Sequence, residues 1–312
     1  MKIPDIFYKI ARKAGVADKP VVLQFPREVD VGLTNSCNLK CSFCLNGSIK
    51  KKRGFMEESL FKSLADCLAD KFRSKTNLGL GLFGEATLHP KFIDFLNYAS
   101  SRGLKIHIST NFVSVSREIS QALIDAKTDL VEVSFYTLNR ENYNKIVGVE
   151  AHDHVLENIH YFLAAAEKSG FKGQTRLRPF SDFAKETPAY QKEFYQKYPN
   201  LHFDTHEPKT MANWAGFLKL PKLLKGVYMQ VPCSFPFSRM TVDWDGEVRL
   251  CCNAMMADDL IVGRVMQDYN LYDLWNGQKF NEIREKFSKI NYKDFPSCPN
   301  CYFSRRYFPL RK

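Results

Sequence analysis

Several common signals are missing from this chain of 312 residues. It has no apolar run near the roughly 20 residues that span a bilayer, so no membrane partner is expected. Its opening, MKIPDIFYKIARKAG, lacks the apolar stretch and small-residue cleavage site of a secretory signal, and the expected location is the cytoplasm. There are no internal repeats and no low-complexity tracts. The seven histidines fall in no HExxH spacing, which leaves that zinc motif unfilled. A formal net charge of +11 favours anionic partners, but the basic residues are scattered and form no nucleic-acid-binding signature, so no nucleic-acid partner is expected. What remains is 45% hydrophobic and 25% charged residues, a globular composition long enough for one large domain and a small one.

The nine cysteines are the informative feature. Without a secretory signal, clustered cysteines point to metal or redox chemistry rather than to disulfides. They fall in two groups: Cys37, Cys41 and Cys44 near the start, and Cys233, Cys251, Cys252, Cys298 and Cys301 near the end. Cys67 stands alone in the helical pattern SLFKSLADCLADKF and reads as a buried structural thiol.

Between the groups, strand-like and helix-like stretches alternate. Strands are predicted at 30–34, 78–83, 104–109, 130–135, 175–180 and 201–205, with helices around 57–73, 90–102, 116–126, 153–168 and 186–198. Six strands, each followed by a helix or long connection, predict an α/β fold with a parallel sheet. Six units in 28–210 suit a partial (β/α)6 TIM-like barrel, although an open doubly wound sheet is also consistent with the pattern. In both folds ligands bind at the carboxyl ends of the strands. Residues 1–27 form an N-terminal extension in which IFYKIARKAG is patterned as a short basic helix that docks on the barrel. In the remainder, 211–312, a linker (211–228) precedes RMTVDWDGEVRLCC, which reads as a β-hairpin turning at Asp245-Gly246. A helical stretch follows, then CPNC, and the tail YFSRRYFPLRK reads as a solvated end.

Cys37-x3-Cys41-x2-Cys44 lies just after the first strand, with the aromatic Phe43 before its last cysteine. Three thiolates on one short loop can hold three irons of a [4Fe–4S] cluster and leave the fourth open. Zinc is the alternative, but no nearby Cys or His completes a set of four ligands. This motif resembles that of the radical S-adenosylmethionine (SAM) superfamily. The resemblance implies that the open iron binds SAM, which is cleaved to a 5′-deoxyadenosyl radical that abstracts hydrogen from substrate. It also implies a flavodoxin- or ferredoxin-type reductant.

Other positions follow one at a time. Phe83-Gly84-Glu85 resembles the family's Gly-Gly-Glu, which contacts the SAM amino group; Gly84 and Glu85 match and Phe83 departs. Asn111 resembles the asparagine ending the third strand, and Ser134 the serine that approaches the SAM ribose or carboxylate. Where relatives often carry Arg-Gly, this chain has Val147-Gly148, so Arg178 is the replacement candidate for the SAM carboxylate.

Cys233, Cys251, Cys298 and Cys301 can make a closed tetrahedral site for zinc or for a fully ligated cluster. The spacing Cys233-x12-Gly246-x4-Cys251 resembles the opening of the SPASM/twitch extension, which implies a small C-terminal hairpin-and-helix domain. The four cysteines match its shorter twitch form, with one auxiliary [4Fe–4S] cluster. Cys252 occupies a position that can face the active site in that group and is a candidate hydrogen-atom donor; a packed small side chain or an alternative ligand are the other readings. The expected function is hydrogen abstraction from a small polar metabolite such as a sugar, nucleotide-sugar or aminocyclitol, giving dehydrogenation or epimerisation. A peptide-modifying maturase is the alternative, and a non-catalytic metal-binding protein is the alternative from another class.

Overall fold

The computed structural model describes residues 21–72, 75–178, 186–199, 203–205, 226–254, 256–265 and 270–309. Strands β1 (Glu28–Val31), β2 (Asn77–Leu80), β3 (Ile106–Thr110), β4 (Leu130–Val133), β5 (Gln174–Leu177) and β6 (Phe203–Thr205) pair in parallel in that order. Helices α1 (Glu58–Asp66), α2 (Phe92–Ser101), α3 (Arg117–Asp125), α4 (Arg140–Val147) and α5 (His152–Ser169) connect the first five. This is the expected partial (β/α)6 barrel. Alternate strand residues set its two faces. Val29, Val31, Leu78, Ile106, Ile108, Val131, Val133 and Leu177 are buried to 3% exposure or less, each contributing about 1.5–3 kcal/mol. The residues between them, Glu28, Asp30, Gly79, His107, Glu132 and Arg176, share the opposite face.

The expected helix at 153–168 is α5, and its Gly170 C-cap adopts a left-handed φ of 67°. Helix α4 was not anticipated. Its sequence, RENYNKIV, buries only Tyr143 and Val147, so the apolar period is too sparse to detect. The fifth strand ends at Leu177; the rest of its expected range, 179–180, lies outside the described residues, as do 201–202, most of the linker and the N-terminal helix expected within IFYKIARKAG.

The C-terminal hairpin forms as predicted, from β8 (Arg239–Val242) and β9 (Glu247–Arg249), with Gly246 at a φ of 83°. Two features differ from expectation. Strand β8 pairs in parallel with β1, so the hairpin and β10 (Ile261–Arg264) extend the barrel sheet to the order β10-β9-β8-β1-β2-β3-β4-β5-β6. Such pairing between residues far apart in the chain leaves no local pattern. The tail is not a solvated end: β11 (Arg305–Pro309) pairs antiparallel with β7 (Gly226–Gln230), which takes up the end of the expected linker. Helices α6 (Leu271–Asn276) and α7 (Gln278–Ser288) complete this region and bury Trp275 and Phe280. No helix among the described residues is long and apolar enough to cross a membrane.

Candidate functional site

The loop carrying Cys37, Cys41 and Cys44 leaves the carboxyl end of β1 and docks on the C-terminus of α4. Lys40 and Ser42 donate backbone hydrogen bonds to the carbonyls of Val147 and Ile146, 2.9 Å each. These are carbonyls that a helix end leaves without intrahelical partners. The departure from Arg-Gly at 147–148 keeps the glycine for a physical reason. Gly148 has φ 72°, and a Cβ there would lie 2.7 Å from the Lys40 carbonyl oxygen. Within the loop Cys44 donates its N–H to Cys41 O at 3.0 Å, and Asn46 N–H donates to Cys44 Sγ at 3.4 Å.

The three thiols are half-buried and close enough to disfavour one another's ionisation. Burial, then the charges of Cys44 and Cys37, push Cys41 up to about 12, and Cys37 and Cys44 are also raised, chiefly by burial. A cationic iron group relieves that penalty, because it binds thiolates. Phe43 packs edge-on against Tyr136 at 5.3 Å. Tyr143, stacked 6.4 Å from Tyr136, is within electrostatic reach of Cys41, and its hydroxyl is buried with no hydrogen-bond partner among the described residues. Three half-buried thiols beside an orphaned donor fit an iron–sulfur cluster.

Glu85 and Asn111 lie directly behind this loop. Glu85 is 2% exposed, and its Oε1 accepts from Thr87 N–H (3.2 Å), Thr87 Oγ1 (2.7 Å) and Thr110 Oγ1 (2.7 Å). Its Oε2 accepts from Asn111 N–H at 2.8 Å. Burial pushes its pKa up and these donors oppose the rise. Glu85 thus joins the ends of β2 and β3, and Oε2 keeps capacity for one more donor. Asn111 Nδ2 donates to Asn38 Oδ1 at 2.8 Å and approaches Cys37 Sγ at 3.8 Å. Gly84 fits closely against this loop, since a Cβ would crowd the backbone of Thr34, Asn35 and Ser36. Phe83, at the family's first glycine position, keeps a φ of 57° that glycine adopts without strain. Ser134 hydrogen-bonds Tyr136. Arg178 is half-exposed and its Nε lies 2.8 Å from Glu132 Oε2, so it is already paired with an acid of β4.

The inner face of the sheet carries a polar cluster that the motif search missed. Glu28 accepts from Arg239 Nη1 at 3.0 Å, and its other oxygen lies 2.9 Å from His107 Nδ1. Asp30 Oδ2 is buried and 3.5 Å from the same Arg239 nitrogen. Burial, then the negative charge of Glu28, push Asp30 up to about 8. Gly79 makes room for the pair: a Cβ would stand 2.9 Å from Asp30 and 3.2 Å from Glu28. The visible signal was Glu-x-Asp in a strand seven residues before the first cysteine, which single-sequence periodicity cannot separate from a solvated face. Cys252 belongs to the same region. It packs against Leu82 and Phe83, as Cys44 does, and burial together with the Asp30 carboxyl raises its pKa.

Cys233, Cys251, Cys298 and Cys301 line one small apolar cavity together with Phe235, Leu250, Leu260 and Phe287. Burial pushes Cys233 up to about 12, with a further contribution from Cys301. Zinc at about 2.3 Å from each sulfur draws four sulfurs to within about 4 Å of one another. Among the described residues no group of three His, Cys, Asp or Glu is placed to hold a single metal ion. Cys67 is buried in the core, as expected of a structural thiol.

Comparison with known proteins agrees with these two centres. The family model of the radical SAM superfamily matches residues 31–171, and that of an iron–sulfur cluster-binding domain, SPASM, matches 233–302. The chain is 24% identical to the tungsten-containing aldehyde ferredoxin oxidoreductase cofactor-modifying protein of Pyrococcus furiosus, over 86% of this chain and 85% of that one. It is 25% identical to mycofactocin maturase MftC of Mycobacterium tuberculosis, over 85% of this chain and 76% of that one. Its fold is shared with BtrN in complex with AdoMet and 2-DOIA (TM-score 0.61, 17% identity, 89% and 93% covered). It is also shared with Streptococcus suis SuiB bound to precursor peptide SuiA (TM-score 0.57, 16% identity, 88% and 69% covered). The cofactors are therefore a [4Fe–4S] cluster with SAM and an auxiliary iron–sulfur cluster. The loop that begins at the end of β1 and the cavity beside the hairpin thus belong to one enzyme, and the chain is a member of the radical SAM superfamily with a C-terminal SPASM-type cluster-binding domain.

Proposed function

We propose that the protein is a peptide-modifying radical SAM maturase. The observation that carries this reading is the similarity to a maturase, MftC, along 85% of this chain. The fold shared with peptide-bound SuiB supports it. The sequence alone placed a small polar metabolite first and a peptide second; the comparisons favour the second. BtrN, whose complex contains 2-DOIA, keeps a small-molecule substrate as the second reading.

In this proposal 28–210 is the barrel and 211–312 the linker and auxiliary domain, with 1–27 an extension. Cys37, Cys41 and Cys44 ligate the SAM-binding cluster, and Cys233, Cys251, Cys298 and Cys301 the auxiliary one. SAM bound at the first cluster supplies a 5′-deoxyadenosyl radical for hydrogen abstraction. The protein's own part is positional. Asn111 donates toward Cys37, Glu85 offers the free capacity of Oε2 to a cationic amino group, and Phe43 with Tyr136 packs beside the thiols. Ser134 and Arg178 are the remaining candidates for SAM contacts, Arg178 only on release from Glu132. Cys252 is proposed as a hydrogen-atom donor to the substrate radical. A flavodoxin- or ferredoxin-type protein of the cytoplasm supplies electrons.

The test is anaerobic reconstitution to about eight irons per chain, four per cluster, followed by incubation with SAM, reductant and short peptides encoded beside the gene. A peptide that accelerates 5′-deoxyadenosine formation and changes mass only when Cys37 is present supports the proposal. Acceleration by a sugar or aminocyclitol, and by none of the peptides, moves the reading to the small-molecule class.

A further inference from the structure

Four consecutive basic residues, Lys50-Lys51-Lys52-Arg53, follow the cysteine loop, and neither cluster motif accounts for them. In the structure they lie on a strap, residues 45–55, stitched back to both sides of that loop. Asn46 Nδ2 donates to Asn35 O at 2.9 Å and also to Phe83 O. Arg53 donates to Asn35 O and, at 2.6 Å, to Asn46 O. Asn35 Nδ2 donates to Lys52 O at 3.0 Å, and Thr34 Oγ1 to Gly54 O at 2.6 Å.

Lys51 points the other way, into the turn of the C-terminal hairpin. Its Nζ lies 2.7 Å from Asp243, 2.8 Å from Asp245 and 3.6 Å from Glu247. It also stands 5.8 Å from the centre of the Trp244 ring, against which Gly54 packs so closely that a Cβ would collide with it. Two of the three carboxylates, Asp245 and Glu247, also meet Arg264 or Arg249, both within the C-terminal region. Lys51 alone among these cations crosses from the cysteine-loop side. It is also the one cation paired with Asp243 among the described residues, and the Asp243 side chain is only 4% exposed. The far end of β9 leads directly to Cys251 and Cys252.

We infer that Lys51 is a positioning residue that pins the loop of the SAM-binding cluster to the hairpin of the auxiliary cluster. It holds the first cluster, and the SAM bound there, in register with Cys252. This rests on membership of the superfamily and not on the peptide reading. The test needs SAM alone, so its outcome is independent of the substrate.

Lys51→Met, Lys51→Arg and Asp243→Asn are compared with the parent chain. In metal-free protein, amide hydrogen exchange across 45–55 is expected to accelerate several-fold in Lys51→Met and Asp243→Asn and to return toward the parent rate in Lys51→Arg. In reconstituted protein, the electron paramagnetic resonance signal of the reduced first cluster is expected to lose its SAM-induced shift. SAM affinity is expected to fall about tenfold, the scale of lost support behind a metal ligand. Asp243→Asn is nearly isosteric and leaves no buried charge, so it carries the test alone if Lys51→Met does not fold. Parent-like exchange and a parent-like SAM-induced shift in Asp243→Asn overturn the inference.

Discussion

Asp30 is the clearest case of a side chain whose meaning depends on its neighbours. On paper it is one acid in the strand EVDV; in the fold it faces Glu28, His107 and Arg239 and is held neutral by burial and by the Glu28 charge. A carboxyl raised to about 8 binds a proton in the folded state that an unfolded chain releases near 3.9. Its contribution is therefore present at low pH and lost as pH rises toward about 8. Thermal melts of metal-free protein between pH 6 and 8 are expected to show a falling stability, up to about 1.4 kcal/mol per pH unit from this group. Asp30→Asn removes that part of the slope; an unchanged slope would place the titration elsewhere. Cys252 gives a second residue-scale prediction. If its S–H faces the radical, cleavage of SAM in heavy water without substrate transfers deuterium from sulfur to the 5′ carbon. Singly labelled 5′-deoxyadenosine is expected from the parent chain, with several-fold less from Cys252→Ala, and equal labelling in both would remove Cys252 from the site. Cys37, Cys41 and Cys44 stand out in the sequence because three thiolates at that spacing suit an open cluster, and Glu85 because its context resembles the family's. Glu28, Asp30 and Lys51 do not, because their partners lie on other strands.

At the scale of elements, short-range patterns translated well. The strands expected at 78–83 and 104–109 overlap the observed ones to within a residue at one end, 130–135 contains its strand, and Asp245-Gly246 turns the hairpin. Helix α4 escaped notice, yet it is the element on which the cysteine loop rests. Its importance lies in its last carbonyls and in Gly148 rather than in an apolar face. Gly148→Ala forces a left-handed residue to carry a Cβ, about 1–2 kcal/mol before any clash, and sets that Cβ against Lys40. The variant is expected to lose stability by at least that amount in thermal melts. It is also expected to retain less iron at the first cluster while the auxiliary cluster fills normally. Loss of iron from both clusters alike would show a general folding defect instead.

At the scale of the whole molecule, the two cluster-binding regions share one sheet, since β8 lies beside β1. Their stabilities are therefore expected to be linked. Metal that binds only the folded chain adds stability by mass action, so reconstituted protein should melt well above the metal-free form. Cys298→Ala is expected to lower the iron content by about four and to lower the melting temperature of the barrel as well. Two separate transitions, with the barrel unmoved, would show that the sheet does not couple them. The composition announced a large domain and a small one; that the small one completes the large one's sheet was not readable, because the pairing spans most of the chain.

That pairing also orders events during synthesis. Glu28 and its partner Arg239 are about 210 residues apart, which at roughly 5–20 residues per second is an interval of some 10–40 s on the ribosome. Throughout it β1 has β2 on one side and an open edge on the other, a template for stray strand pairing. The cysteine loop meanwhile has no hairpin to brace it. Iron delivered to a nascent chain would meet three thiols without their support, so metallation is expected to follow release, and cells that slow translation of the last third should yield more aggregated, iron-poor protein.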